Sequence, residues 1–203
     1  MPAAVAIVLS LAIGYVLGGI PFAAIVGRLR GVDIMKVDTG NPGAANVFRQ
    51  LGRRYGLLVG AADMGKAALA VLVARWLGLS PQVAIAAGAV AILGHWYSPF
   101  LRFKGGAGLA TAVGVGFGVV PDLAAIGVAT ALMLIAITRN VGKSAAAAYV
   151  VVAVVNFALP YPVEHPWGVV VSAIGVAAVV WIRAIWKDWH APRGRSSVSA
   201  RPE

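Results

Sequence analysis

From Ala3 to Gly27 the chain runs through twenty-five residues without a charged side chain. A helix of that length is long enough to cross the roughly 30 Å of hydrocarbon in a bilayer. In lipid every backbone N–H and C=O must find its partner within the segment, so the stretch has to be a helix. Similar apolar runs recur. The pattern predicts spans at 3–27, 57–79, 82–99, 107–121, 122–138, 144–160 and 166–186, punctuated by Gly78, Pro81, Pro121, Pro160 and Pro162. The run at 107–121 is short for a full crossing. The expected fold is all-α: a polytopic membrane protein with about seven transmembrane helices. One multi-span domain is expected over 1–190, followed by a basic, disordered tail at 191–203.

Composition excludes the soluble alternatives. Hydrophobic residues make up 60% of the 203 and charged residues 12%, half the charged share of a typical soluble domain, about 25%. The net charge of +10 does not read as a nucleic-acid footprint, because the cations fall between and after apolar spans, where orientation and anionic lipid account for them. With no cysteine in the chain, disulfides and thiol chemistry are excluded. The first apolar run lacks the basic start and short length of a cleaved signal peptide, and reads as a retained helix.

Arg28, Arg30, Lys36, Arg49, Arg53 and Arg54 follow the first span, Arg102 and Lys104 the third, Arg139 and Lys143 the fifth, and Arg183 and Lys187 the seventh. With seven spans all these cations lie on one side, which puts the N-terminus outside and the C-terminus in the cytoplasm. Arg75 is the exception. Gly14 with Gly18, and Gly114 with Gly118, stand four apart, the spacing that lets helix backbones approach closely.

Two glycine-rich segments interrupt the apolar pattern on the cation-rich side. In "TGNPGAANVFR", residues 39–49, Asn41 is expected to cap a helix beginning at Pro42, with its free N–H groups directed at the Thr39–Gly40 turn, an arrangement that attracts phosphate. Gly40 and Gly43 allow positive φ and close approach to an anion. Arg49 offers a bidentate fork and Asn46 an amide. The second segment, "FKGGAGLAT" at 103–111, repeats the logic with Lys104, Gly105, Gly106 and Gly108.

Three other positions bear on chemistry. His95 ends the third span, as a cap, an interfacial hydrogen-bonder or a base; no carboxylate or second histidine stands at metal-ligand spacing with it, so no metal site is expected. The acyltransferase pairing of histidine with an aspartate five residues on is absent, since Phe100 holds that place. Asp63 and Lys66, three apart inside the second span, form an intramembrane ionisable pair, either a functional site or a structural tie between helices.

These segments resemble the bacterial acyl-phosphate:glycerol-3-phosphate acyltransferase family. "TGNPGAANVFR" is similar to its Ser-Gly-Asn-x-Gly-Ala-Thr-Asn-x-x-Arg motif, and "GHWYSPFLRFKGGAGLAT" to its Gly-His-x-x-Pro-x-Phe-x-x-Phe-Lys-Gly-Gly-Lys-Gly-x-Ala-Thr motif, with one extra residue before Pro99. "DMGK" at 63–66 matches a family Asp-x-x-Lys-Gly. The resemblance spans residues 10–140. It implies transfer of a fatty acyl group from acyl phosphate to the 1-hydroxyl of glycerol 3-phosphate, without cofactor, at the cytoplasmic face of a bacterial plasma membrane. Carried over, Thr39, Arg49, His95 and Lys104 would be catalytic, and Gly40, Asn41, Gly43, Asn46, Asp63, Lys66, Gly105, Gly106, Gly108 and Ser144 would bind substrate.

The chain departs from the pattern at Thr39 for serine, Ala45 for threonine and Ala107 for the second lysine, and "GKSAAAAY" keeps only Ser144 of a Ser-Leu-Ser-type segment. "RAIWKDWH" lacks the family's His-Arg-x-Asn cluster in register. Losing one oxyanion donor costs about 10² to 10³ in rate, so a non-catalytic or retuned paralogue that binds a lipid or phosphate ligand is the alternative. A small transporter is the third reading; it would show midplane polar groups and a repeated half, whereas the polar groups cluster at one face.

Overall fold

The structure, a computed structural model, describes residues 1–138 and scattered positions between Ser144 and Trp186. Seven α-helices occupy the first part: α1 (Ala3–Gly19), α2 (Phe22–Leu29), α3 (Ala44–Leu51), α4 (Arg53–Trp76), α5 (Pro81–Trp96), α6 (Leu109–Val119) and α7 (Pro121–Thr138), with a 3-10 turn at Pro99–Leu101. Among the described residues four segments are long and apolar enough to cross a membrane: Ala3–Leu29, Arg53–Trp76, Pro81–Leu101 and Pro121–Thr138. The first five expected spans are therefore all helical. The sixth and seventh, with Lys143, His165, Lys187 and the tail, lie outside the described residues apart from those scattered positions. At 11 residues, α6 rises only about 16 Å, well short of a full crossing.

The first expected span is not continuous. Pro21 has no N–H to continue the helix and holds Ile20 in an extended conformation, φ −57° and ψ 118°, so α1 ends and α2 begins after it. The broken turn exposes carbonyls in the interior, and side chains from other helices satisfy them. Ser98 Oγ donates to Gly19 O at 2.6 Å, and Lys66 Nζ donates to Ile20 O at 2.8 Å.

Helices pack along seams of small residues. A Cβ on Gly14 or Gly18 would collide with the main-chain carbonyls of Ala87 and Ala91, and one on Gly114 or Gly118 with Met64 O and the Val71 side chain. Both four-residue glycine spacings thus mark close helix contacts, α1 along α5 and α4 along α6, each pair running parallel. Alanines 67, 70, 74, 84, 87 and 91 fill the rest of the interior, while Val8, Val16, Leu57, Leu58 and Ile137 face outward. Without a hydrophobic driving force between helices in lipid, such close backbone approach is what holds them together.

Arg75, the exception to the expected cation pattern, has a structural role. Its Nη1 donates to Gly118 O at 3.1 Å and so satisfies a carbonyl at the C-terminus of α6, where a positive charge is favoured. Replacing Gly18 with leucine is expected to force α1 away from α5 and destabilise the fold by about 1–3 kcal/mol, read as a lower melting temperature in detergent. Leucine at outward-facing Val16 should leave it unchanged.

Candidate active site

The chain returns twice to the end of the bundle where α1 breaks. The first return, residues 30–43, is built around Asn46. This buried side chain directs its Nδ2 hydrogens at three main-chain carbonyls, Ile34 O (3.0 Å), Val37 O (3.2 Å) and Asn41 O (3.1 Å). Its Nδ2 group is committed to ordering the loop, while its buried Oδ1 has no hydrogen-bond partner among the described residues. The helix start also differs. Gly43 N donates to Asn41 O in a tight turn, and Gly43, not Asn41, is the N-cap of α3, which begins at Ala44. Gly40 has the expected positive φ (67°), but Gly43 is extended at −142°. Thr39 Oγ1 accepts from Asn41 N at 3.3 Å. Arg49 is half exposed and forms an ion pair with Asp38.

The second return follows α5. Ser98 O accepts from Phe103 N at 2.8 Å, across a turn in which Arg102 and Phe103 both adopt positive φ (52° and 61°), a conformation costing each about 1–2 kcal/mol. This sharp reversal folds the glycines back under the helix. Gly105 N donates to Trp96 O at 2.9 Å and Gly106 N to His95 O at 3.1 Å. These bonds satisfy the last carbonyls of α5, so the expected anion nest from the Gly105 and Gly106 N–H groups is corrected to a helix termination. The glycines serve close approach instead: a Cβ at Gly105 would overlap His95 O, and one at Gly108 would meet the Trp96 indole nitrogen. Trp96 Nε1 donates to Ala107 O at 2.8 Å, and Lys104 is exposed.

The two returns touch. A Cβ on Gly106 would lie 2.9 Å from Pro42 O and against His95 Nε2. Between them and the α1 break lies a small, partly open pocket lined by Ile20, Phe22, Pro42, Asp63, His95, Ser98, Leu101, Gly105 and Gly106 among others. Its floor is a buried charge cluster. Lys66 Nζ stands 2.7 Å from Asp63 Oδ1 and 2.9 Å from His95 Nδ1, and both ion-pair side chains are 3% exposed. Phe22 covers the ammonium at 5.7 Å.

The family model described as glycerol-3-phosphate acyltransferase matches residues 8–189. The chain belongs to the glycerol-3-phosphate acyltransferase family. A family member from Rubrobacter xylanophilus, named glycerol-3-phosphate acyltransferase, is 38% identical over 175 residues, 86% of each chain. Glycerol-3-phosphate acyltransferase 1 of Deinococcus radiodurans is 53% identical over 107 residues, 53% of this chain and 54% of that one, so the match spans about half the length of that relative. Among solved structures, an integral membrane glycerol 3-phosphate acyltransferase in its glycerol 3-phosphate form aligns with a TM-score of 0.74 at 33% identity, covering 89% of this chain and 87% of that one.

Against the family's motifs, the structure brings His95, Gly105, Gly106 and Asp63 to one pocket, with Lys66 behind it, bonded to His95 and paired with Asp63. Ser144 is buried, its hydroxyl 2.9 Å from Thr138 Oγ1, and is not among the pocket-lining residues. Sequence reasoning missed Ser98 and the Ile20 carbonyl, for which Pro21 was the available signal. It also counted Arg183 only as a loop cation. The guanidinium stacks over Trp96 at 4.5 Å and Tyr97 at 5.0 Å and donates to the Tyr97 hydroxyl at 3.3 Å, which puts a charge at the end of α5.

Replacing Asp63 with alanine is expected to leave the Lys66 ammonium buried and uncompensated, a cost of about 3–5 kcal/mol, or roughly 10 °C of melting temperature. The double replacement Asp63→Leu, Lys66→Met should recover most of that stability, because it removes both charges.

Proposed function

We propose that this protein acylates the 1-hydroxyl of glycerol 3-phosphate with an acyl phosphate donor, giving lysophosphatidate and inorganic phosphate. The observation that carries the reading is the contact between the two motif-bearing loops, Gly106 against Pro42, over a buried charge cluster. Two phosphate-bearing substrates need cations and hydrogen-bond donors converging from two sides, and two adjoining loops supply such an arrangement.

In this reading the acceptor oxygen adds to the acyl carbonyl carbon, the carbonyl carbon–oxygen bond to phosphate breaks, and the hydroxyl proton ends on the released phosphate. The donor already carries a good leaving group, so no serine nucleophile is needed. Arg49 and Lys104 hold phosphate, with Arg49 exchanging Asp38 for the ligand. Thr39 contributes a hydroxyl, Gly40 and Asn41 shape the wall of the site, and His95 meets the reacting groups. Gly43, Gly105, Gly106 and Gly108 let the backbones close around the ligand, and Asn46 keeps the first loop in shape.

The remaining expectations are part of the same proposal. Seven spans make one membrane domain over 1–190, the tail at 191–203 lies in the cytoplasm, and the N-terminus is outside. The site faces the cytosol across the bacterial inner membrane, as the positive-inside rule requires of loops this rich in Arg and Lys.

Purified protein in detergent or nanodiscs should release phosphate from palmitoyl phosphate only when glycerol 3-phosphate is present, with lysophosphatidate formed in equal amount. Arg49→Ala and Lys104→Ala are each expected to lower the rate about 10² to 10³-fold. Release independent of acceptor, or none in wild type with activity gained in Ala107→Lys, would contradict the reading.

A further inference from the structure

We infer that Lys66 is a positioning residue that fixes His95 as the Nε2–H tautomer, so that the ring meets substrate as a hydrogen-bond donor and not as a base. The inference rests on the acyl-transfer reading for what the donor acts on, but its geometry stands independently of that reading.

An ammonium has three N–H groups and no lone pair. Lys66 Nζ has three acceptor groups in reach: Ile20 O at 2.8 Å, Asp63 Oδ1 at 2.7 Å and His95 Nδ1 at 2.9 Å. The first two can only accept. Asp63 stands at ion-pair distance as the countercharge, and an ammonium N–H directed at His95 meets an Nδ1 that must present its lone pair. The rival arrangement, Nδ1–H donating to Asp63, fails on distance, since that pair is 3.7 Å apart, beyond hydrogen-bond reach. With Nδ1 accepting, a neutral imidazole carries its proton on Nε2. That edge of the ring faces Gly106, where a Cβ would overlap Nε2, on the wall of the pocket.

The consequence is chemical. An Nε2–H has no lone pair to take a proton from the acceptor hydroxyl, but it can hydrogen-bond the oxyanion of the acyl carbonyl or the departing phosphate. A donor held in place before the substrates arrive needs no reorganisation during the reaction. The same three contacts explain why a lysine is kept inside an apolar helix and why α1 breaks beside it. The break at Ile20 supplies a carbonyl, Asp63 a charge and His95 a ring nitrogen, and one ammonium ties all three to a single geometry.

The test is the ¹⁵N spectrum of the imidazole in histidine-labelled protein in nanodiscs. The chain has three histidines, so His165→Gln with His190→Gln leaves one signal pair to assign. The expected result is a protonated Nε2 and a bare Nδ1 at neutral pH without substrate. A protonated Nδ1, or a ring protonated on both nitrogens, would overturn the inference. In activity, Lys66→Met is expected to lower kcat about 10²-fold with a smaller change in KM for glycerol 3-phosphate, and Lys66→Arg, which still donates, to restore part of it. Lys66→Met with wild-type kcat would also overturn it. The spectrum is read without turnover, so a bare Nδ1 in a protein that transfers no acyl group sinks the proposed function alone, while turnover with a protonated Nδ1 sinks this inference alone.

Discussion

One buried ammonium organises the working end of this molecule. Lys66 is buried, and its ammonium meets three partners: a carboxylate on its own helix, a carbonyl freed by a proline-broken helix, and a ring at the end of α5. A charge in such surroundings is costly unless fully paired. The pairing therefore ties together the break that Pro21 makes in α1, the turn of α5 that faces inward and the α4 carboxylate. The glycine seams make that approach possible. Gly18 admits Ala91, Gly94 admits the Tyr15 backbone, and the helices settle at the separation the charge cluster requires.

The loops are consequences of the same frame. Helix α5 ends where His95 meets Lys66, and its last carbonyls need donors, which Gly105 and Gly106 provide by folding back beneath it. The strained turn at Arg102 and Phe103 is what makes that return short enough. It brings Gly106 against Pro42 and joins the second loop to the first, whose shape depends on a single amide, Asn46. Backbone groups thus serve the architecture, while Arg49, paired with Asp38, and Lys104 carry their charges at the surface of the two loops. The Ala107 backbone is held by Trp96, which in turn carries the Arg183 guanidinium, so the segment that lacks the family's second lysine has another cation nearby.

Much of this was legible in the residues. Apolar runs and the prolines between them located the first five spans within a few positions, though not the break at Pro21, because length and the absence of charge are strict requirements in lipid. The glycine pairs read correctly because their spacing maps directly onto one helix face. What the sequence concealed depended on tertiary partners. Nothing local shows that the carbonyl of Ile20 would meet a lysine 46 residues on, or that Gly105 and Gly106 would spend their N–H groups on α5. Asn41 looked like a helix cap by residue type, yet Asn46 pulls the carbonyl of Asn41 into its own network and delays the helix to Ala44. Asp63 and Lys66 were recognised as a pair, and only the fold joined them to His95.

The central claim is that the two loops act on one ligand. A double-mutant cycle in glycerol 3-phosphate binding, measured by calorimetry on wild type, Arg49→Ala, Lys104→Ala and the double variant, addresses it directly. If both side chains hold a common phosphate, the two losses are coupled by more than about 0.5 kcal/mol. Strict additivity would mean that the loops bind separately, and would contradict the account.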